Sequence, residues 1–250
     1  MPRKLLTIAD PEIGRCRWII EAAQHKGILV TGLDTEGERY YWGGPKWAQV
    51  HADALGVGLL EPPDTWLSDL EFEWVGRSIE IMTLADAQKI GSSFVKPPSS
   101  KDFPARVYSG GDDLGFHTQG IPPETLVLVS DIVHFATEYR LFICDRKVHT
   151  GSRYSTRGEY DPGTLLTNEA TKVVSAIEDM LTDVGDTLPS AVVIDAGVLD
   201  GPGCRVAVIE ANMAWFSQPY WSETDRVLDV VMRSAGPREY VSESDQRFIR

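Results

Sequence analysis

Several residue types and motifs that mark common protein classes are scarce or missing in this sequence. Its three cysteines, Cys16, Cys144 and Cys204, lie far apart and form no C-x-x-C pair. Two of them fall inside predicted strands, where a cysteine is usually a small buried hydrophobic residue. We therefore expect no cysteine metal site, and we expect the protein to work in a reducing compartment.

Basic residues are also in short supply. Lys and Arg number 24 against 37 Asp and Glu, which gives a formal net charge of −13. Because affinity for a phosphate backbone depends on a basic patch, this balance argues against a nucleic-acid partner. It is compatible with a nucleotide site, since a local pocket can be cationic inside an anionic protein.

Long apolar runs are missing as well. No run in the sequence approaches the ~20 residues that a transmembrane helix needs. The amino terminus reaches Asp10 before the apolar core of a secretory signal could form. These features predict a cytoplasmic protein without a membrane partner.

Common catalytic fingerprints do not occur either. The sequence has no G-x-S-x-G elbow, no Walker P-loop and no G-x-G-x-x-G motif, which argues against the common hydrolase, P-loop and Rossmann classes. Its histidines show no H-E-x-x-H or other paired spacing, so we expect no zinc site.

What the sequence does contain is typical of a soluble α+β protein. The 250 residues are 42% hydrophobic and 24% charged, enough for one large domain or two smaller ones. Strand, helix and strand patterns follow one another in residues 5–31, with the helix starting at Asp10-Pro11-Glu12. We predict an α/β amino-terminal region over residues 1–90. In it, Trp42 and Trp47 either line a ligand or simply pack.

The most informative stretch is residues 192–212. Two β-branched runs flank the turn Asp200-Gly201-Pro202-Gly203, a pattern that predicts a hairpin of two half-buried strands. Side chains of a strand alternate between its faces. Val193 and Asp195 therefore share one face, and Val208, Glu210 and Asn212 share one face of the partner strand.

The hairpin brings oxygen-bearing side chains into an apolar setting. A carboxylate among valines and isoleucines is costly unless a cation compensates it. Mg²⁺ prefers oxygen ligands and is usually held by one or two carboxylates together with substrate phosphates. Asp195, Glu210 and Asn212 are suited to that role. The alternative is that Asp195 caps a turn, Glu210 pairs with an arginine and Asn212 ends a strand.

Two cationic side chains lie on other predicted strands. Lys96 ends the strand Ser93-Phe94-Val95-Lys96, and Arg140 shares a strand face with Glu138, Phe142 and Cys144. A partly buried arginine offers a planar fork for a phosphate or a carboxylate. Its simpler alternative is an ion pair with Glu138.

Taken in order, these elements resemble an ATP-grasp domain. They are Phe94-Val95-Lys96-Pro97, a strand ending at Val129-Ser130, Glu138-Tyr139-Arg140, Arg153-Tyr154, the Asp195 strand and Glu210-Ala211-Asn212. More narrowly, the chain is similar to the clade of that superfamily named for two arginines and a lysine. The similarity covers about residues 66–221, and Tyr41-Trp42-Gly43 looks like the clade's amino-terminal part.

The resemblance implies an α+β ATP-grasp fold in which two α+β subdomains sandwich a nucleotide. Residues 91–250 would form this domain, with 91–130 as the smaller lid and 131–250 as the catalytic subdomain. Lys96 would hold the ATP phosphates, with help from Lys101. The backbone near Val129 and Ser130 would meet the adenine edge, and Asp131 would contact the ribose.

It also implies the chemistry of the catalytic subdomain. Arg140 and Arg153 would clamp the γ-phosphate, or the acyl phosphate formed from it. Asp195, Glu210 and Asn212 would hold Mg²⁺, in agreement with the separate argument from strand faces. The cofactors are thus expected to be ATP and Mg²⁺.

One stretch departs from the clade's pattern. Relatives usually continue from Glu-x-Asn through a tryptophan into a Ser-Gly-x-Tyr turn, whereas here Trp215 leads to Phe216-Ser217-Gln218-Pro219-Tyr220. Proline and glutamine in place of the flexible glycine predict a stiffer loop and an altered acceptor pocket.

The activity that the resemblance implies is an ATP-dependent carboxylate–amine ligase that works through an acyl phosphate. Its substrates would be small-molecule or peptide carboxylates and amines. The altered turn keeps a second hypothesis open, a nucleotide-binding sensor or interaction protein without turnover. An ATP-grasp-type small-molecule kinase is the third.

Overall fold

A computed structural model describes residues 2–9, 13–33, 35–99, 102–201 and 203–250, with the backbone alone at residues 13–15. The predicted helix start at Asp10-Pro11-Glu12 lies outside these residues. Within them the chain forms fourteen strands and eight α-helices, arranged in three main sheets and one two-stranded sheet. The mixture of helices and sheets agrees with the predicted α+β class.

The amino-terminal part contains a three-stranded parallel sheet of order β2-β1-β3. Its elements are β1 (Lys4–Ile8), α1 (Ile13–His25), β2 (Leu29–Val30) and β3 (Glu38–Trp42). The predicted strand–helix–strand order is therefore observed. Trp42 is buried and meets Trp18 edge to face, and Trp47 stacks on Tyr41 at 5.2 Å. Both tryptophans pack against aromatic neighbours.

Residues 45–83 are more regular than their sequence suggests. The elements are α2 (Pro45–Leu55), β4 (Val57–Leu59), α3 (Trp66–Asp69), α4 (Phe72–Val75) and β5 (Ile79–Thr83). Helix α2 has the bounds that its sequence favours, because Pro45 opens it and Gly56 ends it with φ of 64°. Residues 56–80 show no clear periodicity in the sequence, yet they are not an irregular connection, since β4 pairs with a strand near the carboxyl terminus, Ala235–Pro237.

A small antiparallel sheet of order β5-β8-β6-β7 follows. It is completed by α5 (Leu84–Ala87), β6 (Ser93–Lys96), β7 (Arg106–Tyr108), α6 (Gly111–His117) and β8 (Leu126–Ser130). Thr83 caps α5 as predicted, and its side chain accepts a hydrogen bond from the Asp86 amide. Because β5 pairs with β8 along its whole length, this sheet extends across the boundary predicted at residue 90.

The large antiparallel sheet has the order β11-β10-β9-β12-β13. Its elements are β9 (Phe135–Cys144), β10 (Lys147–Thr156), β11 (Glu159–Gly163), α7 (Asn168–Asp183), β12 (Ala191–Leu199) and β13 (Val206–Asn212). Strand β11 is polar and has no apolar alternation that would mark it as a strand in the sequence. The predicted β12–β13 hairpin and the β9–β10 hairpin are both present.

Helices cover both faces of this sheet. Helix α7 presents Val173, Ile177 and Met180, which recur at helical spacing, to one face, and all three are buried. The other face packs against α8 (Thr224–Ser234), and β14 (Ala235–Pro237) follows it. None of the helices in the described part of the chain is long and apolar enough to span a membrane.

The core under α7 should dominate the stability of this region. Leu141 on β9 has no exposed surface and belongs to the α7 core, whereas Leu166 is 91% exposed. We expect Leu141→Ala to lower the free energy of unfolding by about 2–5 kcal/mol, since it removes buried methylene groups and leaves a cavity. Leu166→Ala is the matched control and should change it by less than about 0.5 kcal/mol. Urea denaturation measures both, and equal effects would contradict the packing described here.

Candidate functional site

Three neighbouring strands of the large sheet place charged side chains side by side. Arg140 on β9 is the Cα partner of Asp195 on β12, and Asp195 is the partner of Glu210 on β13. Directly opposed residues of antiparallel strands project from the same face. Asn212 follows on β13, opposite Val193. The predicted convergence of Asp195, Glu210 and Asn212 is therefore observed.

The geometry depends on a β-bulge that the sequence pattern did not reveal. The register passes from Ala196 opposite Val208 to Asp195 opposite Glu210, which leaves Ile209 without a Cα partner on β12. Val208 consequently points into the α7 core. Its predicted place on the face of Glu210 and Asn212 is wrong, because an extra residue in a strand reverses the alternation beyond it.

Arg140 and Asp195 form a bidentate ion pair. Arg140 donates from Nε to Oδ1 at 2.8 Å and from a terminal nitrogen to Oδ2 at 2.7 Å. Asp195 is only 2% exposed, and this burial raises its pKa, although the charge of Arg140 opposes the change. The alternative pairing of Arg140 with Glu138 does not occur, since Glu138 accepts hydrogen bonds from the Tyr154 and Ser155 hydroxyls at 2.8 and 2.9 Å.

Lys96 and Glu210 form a second ion pair, which joins the small sheet to the large one. Lys96 ends β6, and its ammonium group donates to Oε2 of Glu210. The Asn212 amide donates to Oε1 of Glu210 at 2.9 Å and stands 3.4 Å from Oδ2 of Asp195. Two cations and two carboxylates thus neutralise one another in a cleft between the two sheets.

Two adjoining cavities open along this cleft, and Lys96, Ala105 and Glu210 line both of them. The first, of about 280 Å³, is largely apolar. Ser130 and Asp131 of the β8–β9 connection also line it, as do Phe135 and Arg77. The second, of about 520 Å³, contains Arg140 and Asn212 together with the loop of residues 61–64.

Aromatic side chains from the unusual turn cover Arg140. The Tyr220 ring centroid lies 4.9 Å from the guanidinium carbon of Arg140, and Tyr154 stacks on Tyr220 at 4.9 Å with an interplanar angle of 15°. Tyr220 has φ of 49°, in the left-handed region that a bulky residue rarely adopts. The turn, which keeps the tyrosine of the Ser-Gly-x-Tyr pattern, thus places an aromatic ring on the predicted phosphate-binding arginine. Sequence reasoning did not identify this contact.

The remaining predicted residues lie in different places. Arg153 does not reach the cluster, because its Cα partner is Tyr139, which packs in the α7 core, and its guanidinium pairs with Asp161 at 2.9 Å. The Val129 side chain is buried in the core of the small sheet. The Asp131 carboxylate accepts a hydrogen bond from the Ser78 amide at 2.9 Å. Lys101 lies outside the described residues.

The donor set fits a hard divalent cation. In the described part of the chain no group of three or more His, Cys, Asp and Glu side chains could hold a metal. Asp195 and Glu210, which are strand partners, supply two carboxylates, and Asn212, whose side chain meets both, can supply an amide oxygen. Mg²⁺ bound together with a nucleotide needs no more protein ligands than these, because phosphate oxygens and water complete its octahedron.

Glu210 gives the site a pH dependence with a defined sign. Burial acts to raise the pKa of Glu210, but Lys96 and Asn212 outweigh it and hold the pKa below its ordinary value. A carboxyl group with a lowered pKa stabilises the fold above its unfolded-state pKa of about 4.3, and this contribution disappears as the pH falls through the folded-state value. The stability advantage of the wild type over Glu210→Gln should therefore shrink below about pH 4.3. Urea denaturation of both proteins across this range measures it, and an advantage that grows with acid would contradict the ion pair.

The sequence matches the model of one protein family. Residues 74–230, more than half of the chain, match the ATP-grasp domain family 2 of the clade named for two arginines and one lysine. The matched segment starts ahead of β5 and includes both sheets that border the cleft. A comparison with curated proteins gives no match.

Solved structures similar to this chain share its fold at low sequence identity. The RimK domain ATP-grasp protein of Sphaerobacter thermophilus DSM 20745 is 14% identical with a TM-score of 0.54, over 92% of this chain and 99% of that one. The Bacillus anthracis D-alanine–D-alanine ligase complexed with ATP is 11% identical with a TM-score of 0.55, over 93% and 96%. The ATP-grasp ligase PsnB with a minimal precursor is 12% identical with a TM-score of 0.51, over 94% and 100%.

Proposed function

Because the chain belongs to family 2 of this two-arginine, one-lysine clade of ATP-grasp domains, we propose that it is an ATP-dependent ligase that joins a carboxylate to an amine. The observation that carries the proposal is the cluster of Lys96, Arg140, Asp195, Glu210 and Asn212 in one cleft. Cations for a triphosphate and oxygen ligands for a divalent ion are thereby within one site. Phosphoryl transfer needs little else beyond positioning and charge stabilisation.

The proposed reaction has two steps. An oxygen of the substrate carboxylate attacks the γ-phosphorus of ATP, the bond from that phosphorus to the β,γ-bridging oxygen breaks, and ADP leaves. The amine nitrogen of the second substrate then attacks the acyl carbon, the bond from this carbon to the phosphate oxygen breaks, and inorganic phosphate leaves. The nitrogen loses a proton as the amide forms.

The residues of the cleft have distinct proposed roles. The apolar cavity beside Ser130 and Asp131 accommodates the base and ribose. Lys96 leaves Glu210 to bind the phosphates, and Arg140 stabilises the charge on the transferring phosphoryl group. Asp195, Glu210 and Asn212 would hold Mg²⁺, which when bound neutralises phosphate charge.

The cavity that contains Arg140 and the loop of residues 61–64 is the proposed place for the acyl and amine groups. Its lining is mixed, with Glu61 and Asp64 on the wall formed by that loop, Arg140 among the charged residues, and prolines and Phe103 among the apolar ones. The substrates are proposed to be small-molecule or peptide carboxylates and amines. PsnB, one of the structures of this fold, is a ligase seen with a precursor.

The test is ADP release that requires both substrate classes. Pools of carboxylates are incubated with ATP and Mg²⁺, and hydroxylamine replaces the amine, because it traps an acyl phosphate as a stable hydroxamate. We expect hydroxamate with the correct acid and none in Glu210→Gln. ADP formed with a stable phosphorylated hydroxyl compound would instead indicate a kinase. ATP binding without turnover on any pool would indicate a sensor.

A further inference from the structure

Arg77 is a buried cation whose hydrogen bonds go to the backbone. It is 7% exposed, and its guanidinium donates to the carbonyl oxygens of Val75 at 2.9 Å, Val208 at 2.8 Å and Ile209 at 3.2 Å. Burial lowers the pKa of Arg77 to about 10, so it stays charged at neutral pH. A charge kept in such a place, with no ion pair to a carboxylate of the described residues, is costly. Its partners therefore indicate what it does.

Two of those partners flank the point where β13 changes register. Val208 is the last residue paired in the first register, and Ile209 is the extra residue of the bulge. A bulge disrupts the ladder locally and leaves backbone groups without a strand partner. Arg77 supplies donors to the carbonyls on both sides of this break. Its third bond, to Val75, anchors the same guanidinium at the end of α4.

The bulge decides which way Glu210 points. In an uninterrupted register Glu210 would lie opposite Ile194, a residue of the α7 core, and its carboxylate would turn away from Asp195. With Ile209 looped out, Glu210 and Asn212 both face Asp195. The hydrogen bonding of the Val208 and Ile209 carbonyls is thus coupled to the orientation of the proposed metal ligands.

We propose that Arg77 is a positioning residue that fixes the β-bulge at Ile209 and thereby holds Glu210 and Asn212 in the orientation that binds the divalent cation. This inference rests on the proposed function, since it concerns the metal of the same site. Arg77 acts through the backbone of β13 and is assigned no contact with the metal. Groups that orient metal ligands typically affect metal affinity by about 10–100-fold when they are removed.

The experiment measures metal and nucleotide binding separately. Mn²⁺ is titrated into the full chain in the presence of a non-hydrolysable ATP analogue, and free Mn²⁺ is read by electron paramagnetic resonance. The analogue alone is titrated in the presence of EDTA. Arg77→Met removes all donors, and Arg77→Lys keeps the charge but not the fork that spans three carbonyls. Arg205→Met is the matched control, because Arg205 also donates to an α4 carbonyl and lies over the Phe72 ring.

We expect Arg77→Met to weaken Mn²⁺ binding by about 10–100-fold. Because Arg77 also lines the cavity proposed for the base, metal-free affinity for the analogue should fall as well, but by less. Arg77→Lys should recover part of the loss, and Arg205→Met should bind like the wild type. If Arg77→Met does not fold, the Mn²⁺ and metal-free affinities of Arg77→Lys are compared with those of Arg205→Met instead.

Two results would overturn the inference while the proposed function stands. One is unchanged Mn²⁺ affinity in both Arg77 variants. The other is an equal loss of metal-dependent and metal-free binding, which would indicate a general structural role. A wild-type chain that binds no Mn²⁺ with the analogue would overturn the proposed metal site itself, and this inference with it.

Discussion

Arg140→Met is expected to lower ligase turnover by about 10²–10³-fold, the usual effect of removing one preorganised charge that faces the reacting group. Arg140 lines the same cavity as Lys96, Glu210 and Asn212. Burial acts to lower the pKa of Arg140, but the charge and hydrogen bonds of Asp195, together with smaller contributions from Tyr220 and Tyr154, outweigh it and raise the pKa, so the guanidinium stays protonated at every useful pH. Turnover of saturating ATP with the acid identified by hydroxamate formation measures the loss.

The matched control is Arg153, the second arginine that the resemblance assigned to the phosphates. Arg153→Met should retain most of the turnover. In the wild type the Arg153 guanidinium binds Asp161, whose backbone oxygen accepts a hydrogen bond from Nε at 3.0 Å, and the strand partner of Arg153, Tyr139, faces the α7 core. The resemblance alone predicts equal losses for the two variants. An equally inactive Arg153→Met would therefore show that β10 changes its register or twist when nucleotide binds.

A loss of activity in Arg140→Met must be separated from a loss of stability. The variant leaves Asp195 buried without its cation, and breaking a buried ion pair costs about 3–5 kcal/mol. Arg140→Met combined with Asp195→Leu removes both charges and should regain much of the stability, since apolar replacements of buried pairs are often neutral. The double variant should remain inactive. Recovery of turnover together with stability would contradict a catalytic role for Arg140.

The predictions from sequence were strongest where local pattern and chemistry agree. The hairpin of β12 and β13 was predicted because two β-branched runs flank a Gly/Pro turn, and the ATP-grasp fold is confirmed by the family match. Arg140 and Phe142 share a face opposite Tyr139, as alternation along a regular strand requires. Strand alternation and turn patterns depend on residues that are close in sequence, so they can be predicted without knowledge of the tertiary structure.

What sequence reasoning missed depends on contacts between distant segments. The sequence Val206-Ala207-Val208-Ile209-Glu210 does not indicate a bulge, because the residue that stabilises it, Arg77, is 131 residues from Val208 in the sequence. The pairing of β4 with β14 joins segments from opposite ends of the chain in the same way. The resemblance assigned Arg153 to the γ-phosphate, yet Ser152 is the strand partner of Arg140, so the next residue, Arg153, lies opposite Tyr139 on the other face of the sheet. Nothing in the sequence around Tyr220 indicates that its backbone adopts the left-handed conformation.

Lys96→Met is expected to weaken metal-free binding of ATP by about 10–100-fold, since a hydrogen bond to a charged group contributes about 1.5–3 kcal/mol. Lys96 is paired with Glu210 across the two sheets. A triphosphate offers the ammonium more negative charge than one carboxylate, so binding exchanges one partner for the other and releases Glu210. Lys96 should thus couple nucleotide entry to the availability of a metal ligand.

The matched control is Lys89, which also belongs to the small-sheet region but is 73% exposed and pairs with Asp86. Lys89→Met should bind ATP like the wild type, as measured by calorimetry in EDTA. The exchange makes a further demand on Lys96→Met: without the ion pair, ATP and Mg²⁺ no longer share the cost of opening it, so Mg²⁺ should add less to ATP affinity in this variant than in the wild type. If Lys96→Met binds ATP as tightly as Lys89→Met does, the ammonium stays on Glu210 when the nucleotide enters, and the ion pair is a structural link between the sheets.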